Sequence, residues 1–118
     1  MEFKKFEKGD RFIKDVISIR PTGSIFFNAG FYRRVEIKAY RYAMLFHDAA
    51  SVVIGFKFLN NVEEGCYKIS HQKDCATVRA SAFFDVFLSE CNRTMNSIVG
   101  KYTPEYDKEN EMYIVRFK

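Results

Sequence analysis

The sequence predicts an α+β, β-rich fold: duplicated strand-strand-helix-strand-strand units forming a small barrel-like pseudo-dimer with two short helices. Period-2 alternation recurs along the chain, helical spacing occurs in two short stretches, and the first half returns in degraded form in the second. Ile17-Ser18 finds a counterpart in Ile69-Ser70, and Ile25 to Val35 pairs with Thr77 to Phe87 at the same offset of 52 (69 − 17 and 77 − 25). Phe31-Tyr32 then falls on Phe83-Phe84. After a gap of seven residues the match resumes, with Phe46-His47-Asp48 opposite Glu105-Tyr106-Asp107 and Ile54, Phe56, Phe58 opposite Tyr113, Val115, Phe117.

Val16 to Arg20 alternates and reads as the first strand. Asn28 is placed to cap a short helix whose Phe31 and Val35 lie four apart on a buried face. Tyr40, Tyr42, Met44 and Phe46 share one face of a strand, and Val52, Ile54, Phe56 and Phe58 share one face of the next, with His47 to Ser51 as the hairpin turn. Asn60 to Gly65 is a polar turn joining the copies. In the second copy Ser81 is placed to cap a helix carrying Phe83, Phe84, Phe87 and Leu88, and Glu90 to Ser97 reads as an extra loop. Gly100 to Tyr106 and Met112 to Phe117 form the closing hairpin, with Asp107-Lys108-Glu109-Asn110 as its tip. The pseudo-repeats span about 12–59 and 65–118 and no long linker separates them, so residues 1–118 are expected to form a single domain with one core.

A chain of 118 residues, 47% hydrophobic with 13 Phe and 7 Tyr, has enough apolar surface to offset the entropy of ordering. No apolar stretch approaches the length of a membrane span and the first ten residues lack a signal-peptide core, so the expected location is cytoplasmic, with no membrane partner. Cys66, Cys75 and Cys91 are odd in number and lack CxxC spacing, which favours reduced thiols over a disulfide frame. Charge is 19 Lys+Arg against 15 Asp+Glu, and the excess is uneven. Lys4, Lys5, Lys8, Arg11, Lys14, Arg20, Arg33, Arg34, Lys38 and Arg41 all lie in the first 41 residues, against five acidic residues. The first copy is the basic half, which permits a nucleic-acid partner without requiring one.

Gly23, Ile25, Phe27, Phe31, Val35, Ile37 and Leu45 occupy the glycine and apolar positions of a known pattern at matching spacing. On these residues the stretch 13–58 resembles swapped-hairpin DNA-binding domains of the AbrB/MazE type. Asn28 stands where that family has Pro, Glu36 where it has Gly, and Tyr40-Arg41 where it has Gly-Asp. The resemblance implies two interlocked units in one barrel, here supplied by a single chain, and basic residues on the first strand and around the short helix that grip duplex DNA. The nucleic-acid-binding residues it points to are Lys14, Arg20, Arg33, Arg34, Lys38 and Arg41. Lys and Arg side chains at such positions neutralise phosphates and release counterions.

Other readings use other frames. From Tyr40 to Cys91 four strands precede a helix, an order similar to Whirly and Pur single-strand-binding repeats, with Tyr32, Tyr40 and Tyr42 as stacking platforms for bases. An antitoxin-like or assembly module would use the same barrel to hold a protein partner, with Phe3 and Phe6 of the segment Met1 to Arg11 as anchors, and a homodimer is a further expectation. Cys66, His71 and Cys75 lack a fourth ligand at finger or knuckle spacing, so no metal is expected. His47-Asp48 sits in a turn, and no phosphate-binding glycine loop or carboxylate pair stands out, so neither a cofactor nor enzymatic activity is expected.

Overall fold

Residues 14–117 are described by a computed structural model; the Met1 to Arg11 arm lies outside them. The chain forms β1 (Ile17–Ile19), β2 (Ser24–Phe27), α1 (Ala29–Arg34), a 3-10 turn (Ile37–Ala39), β3 (Tyr42–Asp48) and β4 (Val53–Leu59). It continues with β5 (Tyr67–His71), β6 (Ala76–Arg79), α2 (Ser81–Cys91), α3 (Met95–Ile98), β7 (Gly100–Tyr102), β8 (Glu105–Asp107) and β9 (Met112–Arg116). The fold is therefore α+β and β-rich, as the alternation predicts.

The nine strands make one antiparallel sheet in the order β7-β1-β2-β6-β5-β3-β4-β9-β8. It curls into a half-barrel, because inward side chains from distant strands meet. Phe27 on β2 lies 5.4 Å from Phe56 on β4, ring centre to ring centre, although three strands stand between them in the sheet order. Tyr102 on β7 meets Phe117, just past β9, at 4.9 Å. Alternation decides which residues take part: Ile17, Ile19, Ile25, Phe27, Ile54, Phe56, Ile69, Val78 and Val115 are buried. Each such side chain contributes about 1.5–3 kcal/mol by leaving water.

The two principal helices close opposite ends of the curl. β2 and β6 are antiparallel neighbours, so the helices that follow them leave at opposite ends. Phe31 of α1 packs on Phe27, Phe56, Phe58 and Tyr113. Phe87 of α2 packs on Phe117 and on His47, whose Nδ1 lies 3.2 Å from the Glu90 carboxylate.

Asn28 caps α1 as its position suggests: its Oδ1 accepts the Phe31 amide at 3.0 Å. Ser81, by contrast, does not cap α2. It is the first helical residue, and Ala80 holds the cap position with no side-chain hydrogen bond. The stretch Glu90 to Ser97 is not all loop, since α2 runs to Cys91 and α3 follows after Asn92 turns the chain at φ 55. Nor is Gly100 to Tyr106 one arm: β7 pairs with β1 while β8 pairs with β9, and Pro104, which has no amide hydrogen for a ladder, lies in the break. On β3 the predicted face of Tyr42, Met44 and Phe46 is the outer one. Ala43, fully buried, and Leu45 face the core instead, opposite Phe58 and Phe56.

One register differs from the constant offset of 52. β1 pairs Ile17 with Phe27, while β5 pairs Ile69 with Val78, so the offset is 52 on the first strand and 51 on the second (78 − 27). Ala76 and Val78 point inward and Thr77 and Arg79 outward. A slip of one residue exchanges the two faces of a strand, so Thr77 is not the inward counterpart of Ile25.

Candidate nucleic-acid interface

The six basic residues marked by the sequence fall into separate places. Lys14 and Arg34 lie where β1 begins, for the Lys14 carbonyl accepts Asn28 Nδ2 and Arg34 pairs with Asp15. Arg34 also lies over the rings of Phe31 and Tyr113. Arg33 reaches the β5–β6 loop and pairs with Asp74 at 2.9 Å. With Lys38 and Lys73 it lines a hollow of about 470 Å³ that also contains Glu36 and Asp74. Arg41 precedes β3 and is tied through its backbone to Leu59 and Ile69. Arg20 stands apart from all of these, at the β1–β2 turn, which is the far end of β1 from Lys14.

Tyr32, which also lines the hollow beside Arg33, belongs to a polar clasp. His71 Nε2 lies 2.8 Å from the Tyr40 carbonyl, which only accepts, so that nitrogen carries the hydrogen. Nδ1 then accepts from the Tyr32 hydroxyl at 3.0 Å. Burial pushes the Tyr32 phenol above its usual value, with Asp74 and Cys75 adding to the shift. Both nitrogens of His71 are thus engaged, and among the described residues no three His, Cys, Asp or Glu side chains converge as a metal site.

A different surface carries uncompensated charge. On the outer face of β7-β1-β2-β6-β5 the side chains are Lys101, Ser18, Ser24, Phe26, Thr77, Arg79, Lys68 and Ser70, as the register and the burial of their neighbours require. None is acidic. Arg20 joins them from the turn, its guanidinium 4.4 Å above the Phe26 ring. Lys68, Arg79 and Lys101 have no ion-pair partner among the described residues.

This face is concave along β6, where a hollow of about 530 Å³ is lined by Arg20, Thr22, Ser24, Ser70, Thr77 and Arg79, with Gln72 and Ser81 completing it. A neighbouring hollow shares Ser70, Thr77 and Arg79 and adds Lys68. Gly23 makes the approach of α2 possible: its φ is +81°, and a Cβ there would stand 2.8 Å from the Ser81 Cα. Arg79, Lys68 and Lys101 were not singled out from sequence. The alternation of Ala76, Thr77, Val78 and Arg79, which sets Thr77 and Arg79 on the face opposite Ala76 and Val78, was the available signal.

No family model, no curated protein and no solved structure matches this chain. No helix of the described residues is long and apolar enough to cross a membrane.

Proposed function

We propose that the protein binds duplex DNA through phosphate contacts on the outer face of β7-β1-β2-β6-β5, as an internally paired, AbrB-like swapped-hairpin barrel. The observation that carries this reading is the composition of that face: Arg20, Lys68, Arg79 and Lys101, hydroxyls between them, and no carboxylate. Like charges on adjacent strands destabilise a sheet, and a polyanion is what would offset them. Arg33 and Arg34 are secondary in this scheme, because Asp74 and Asp15 already neutralise them.

Register supports the internal pairing. β3–β4 pairs Phe46 with Gly55 and Asp48 with Val53; β8–β9 pairs Glu105 with Ile114 and Asp107 with Met112. Adding 59 to the first hairpin (105 − 46) reproduces the second pair by pair. The same shift carries Val52, at φ 54, onto Glu111, at φ 53, and Asp48, which accepts the Ser51 amide, onto Asp107, which accepts those of Glu109 and Asn110. The connections also cross over as interlocked hairpins would: β3 lies beside β5 and β7 beside β1, while β2 meets β6 and β4 meets β9. Two departures from the family pattern fit its backbone. Asn28, at the Pro position, has φ −73, and Glu36, at the Gly position, has φ 59.

Fluorescence anisotropy against labelled duplex and single-stranded DNA over a salt series tests the proposal. Duplex affinity should fall steeply with salt, and Arg79→Gln should reduce the slope by about one. Replacing Arg33 and Arg34 together by Ala should cost less than Arg79→Gln. A strong preference for single strands would favour the stacking reading, and absence of binding at low salt would leave a protein-interaction barrel.

A further inference from the structure

From the outer face we infer that the gap over Ser24 is a discrete phosphate site, clamped by Arg20 and Arg79. The inference rests on the DNA-binding reading for its source of phosphate, a backbone phosphodiester. Three adjacent strands set the geometry. The Arg20 amide donates to the Ser24 carbonyl at 3.0 Å on one side, and Ser24 is the register partner of Arg79 on the other. Neighbouring strands lie roughly 5 Å apart, so the two arginines emerge about 10 Å from each other with a small side chain between them. A bulkier residue on β2 would fill that space. Serine leaves it open, as part of the 530 Å³ hollow.

The chemistry of the gap is that of an anion site. Two guanidinium forks suit the oxygens of a phosphate, and the hydroxyls of Ser24, Ser70 and Thr77 stand around them as further donors, while Thr22 donates to Ser24. Ser24 is only 7% exposed, and its Oγ lies 3.1 Å from Thr22 Oγ1, so the floor of the gap is ordered by the protein itself. The stack of Arg20 on Phe26 holds that guanidinium against the sheet. Lys68, the residue before the Ile69–Val78 pair, places a third cation on the same side.

Calorimetric titration of the full chain with inorganic phosphate at constant ionic strength tests the site, run beside duplex anisotropy on the same variants. Saturable phosphate binding is expected, weakened about tenfold or more by Arg79→Gln and by Arg20→Gln, and by less in Arg79→Lys, which keeps charge but loses the fork. Lys108→Gln, at the distant hairpin tip, removes the same charge and should stay within about twofold. Both arginines are exposed, so the variants should fold, and circular dichroism checks that they do. Equal losses in Arg79→Gln and Lys108→Gln, or no saturable phosphate binding while duplex binding persists, would overturn the site and leave the DNA reading standing. Arginine-dependent phosphate binding without any duplex binding would overturn the DNA source and keep the clamp.

Discussion

Asn28→Ala should be the most informative single change to the fold, because one side chain there makes three hydrogen bonds that join the lead-in of β1 to the start of α1. Oδ1 accepts the Phe31 amide at the start of α1 and the Val16 amide ahead of β1, each at 3.0 Å, while Nδ2 donates to the Lys14 carbonyl at 2.7 Å. Loss of an N-cap costs about 1 kcal/mol. The part-buried Val16 amide loses its acceptor for about 1 kcal/mol more, and the exposed Lys14 carbonyl is resolvated at little cost. The sum is about 2 kcal/mol. With a urea m-value of about 2 kcal/mol/M, the midpoint should drop by about 1 M at unchanged slope. Asn28→Asp is the control: it keeps both acceptor bonds, places a negative charge at a helix N-terminus and loses only the donor, so it should lie within about 1 kcal/mol of the parent. An alanine variant within about 0.5 kcal/mol of the parent, or an aspartate variant as damaging as alanine, would refute the reasoning.

Glu36→Gly should raise stability by about 0.5–1 kcal/mol, because Glu36 holds φ 59 and ψ 44, a region that costs an L-residue more than glycine loses in unfolded-state entropy. Thermal unfolding checks this, and a lower midpoint than the parent's would count against it. Asp107 titrates below its ordinary value, chiefly because Asn110 Nδ2 donates to its carboxylate, helped by the backbone amides of Asn110 and Glu109 and opposed by burial. A depressed carboxyl stabilises the fold at pH values above the unfolded pKa near 3.8, and that contribution disappears as pH falls through the lower folded value. In Asn110→Ala the Asp107 titration followed by NMR should move up toward the ordinary value. No movement would show that the side-chain bond is not the cause.

Local chemistry was legible in the sequence wherever a residue acts on its near neighbours. Asn28 announced its cap, Asp48 and Asp107 their turns, and the alternation of Ile54, Phe56 and Phe58 their inward face. What escaped depends on register or on distant partners. The carboxylates that occupy Arg34 and Arg33 are 19 and 41 residues away, at Asp15 and Asp74, and no local pattern marks them. Arg79 escaped because a constant offset of 52 aligns it with the buried Phe27, whereas the β5–β6 register aligns Val78 there and turns Arg79 outward. α3 is four residues long, too short for helical periodicity to emerge.

In the internally paired barrel proposed above, the two ends of the hollow along β6 are free to differ. Under the offset of 52 that relates β1 to β5, Arg20 corresponds to Gln72 (20 + 52), and both line that hollow. A symmetric dimer would carry arginine at both ends; here one end bears a cation and the other an amide. Gln72→Arg should therefore restore a missing phosphate contact, raising duplex affinity several-fold at low salt and steepening the salt dependence by about one. Gln72 is exposed and among the described residues its side chain accepts only from the Cys75 thiol, so the substitution disturbs little. A control arginine at Asn96, on the exposed side of α3, should change neither quantity by as much. If the two substitutions act alike, the gain reflects net charge alone, and the pseudo-symmetric relation between Arg20 and Gln72 has no part in binding.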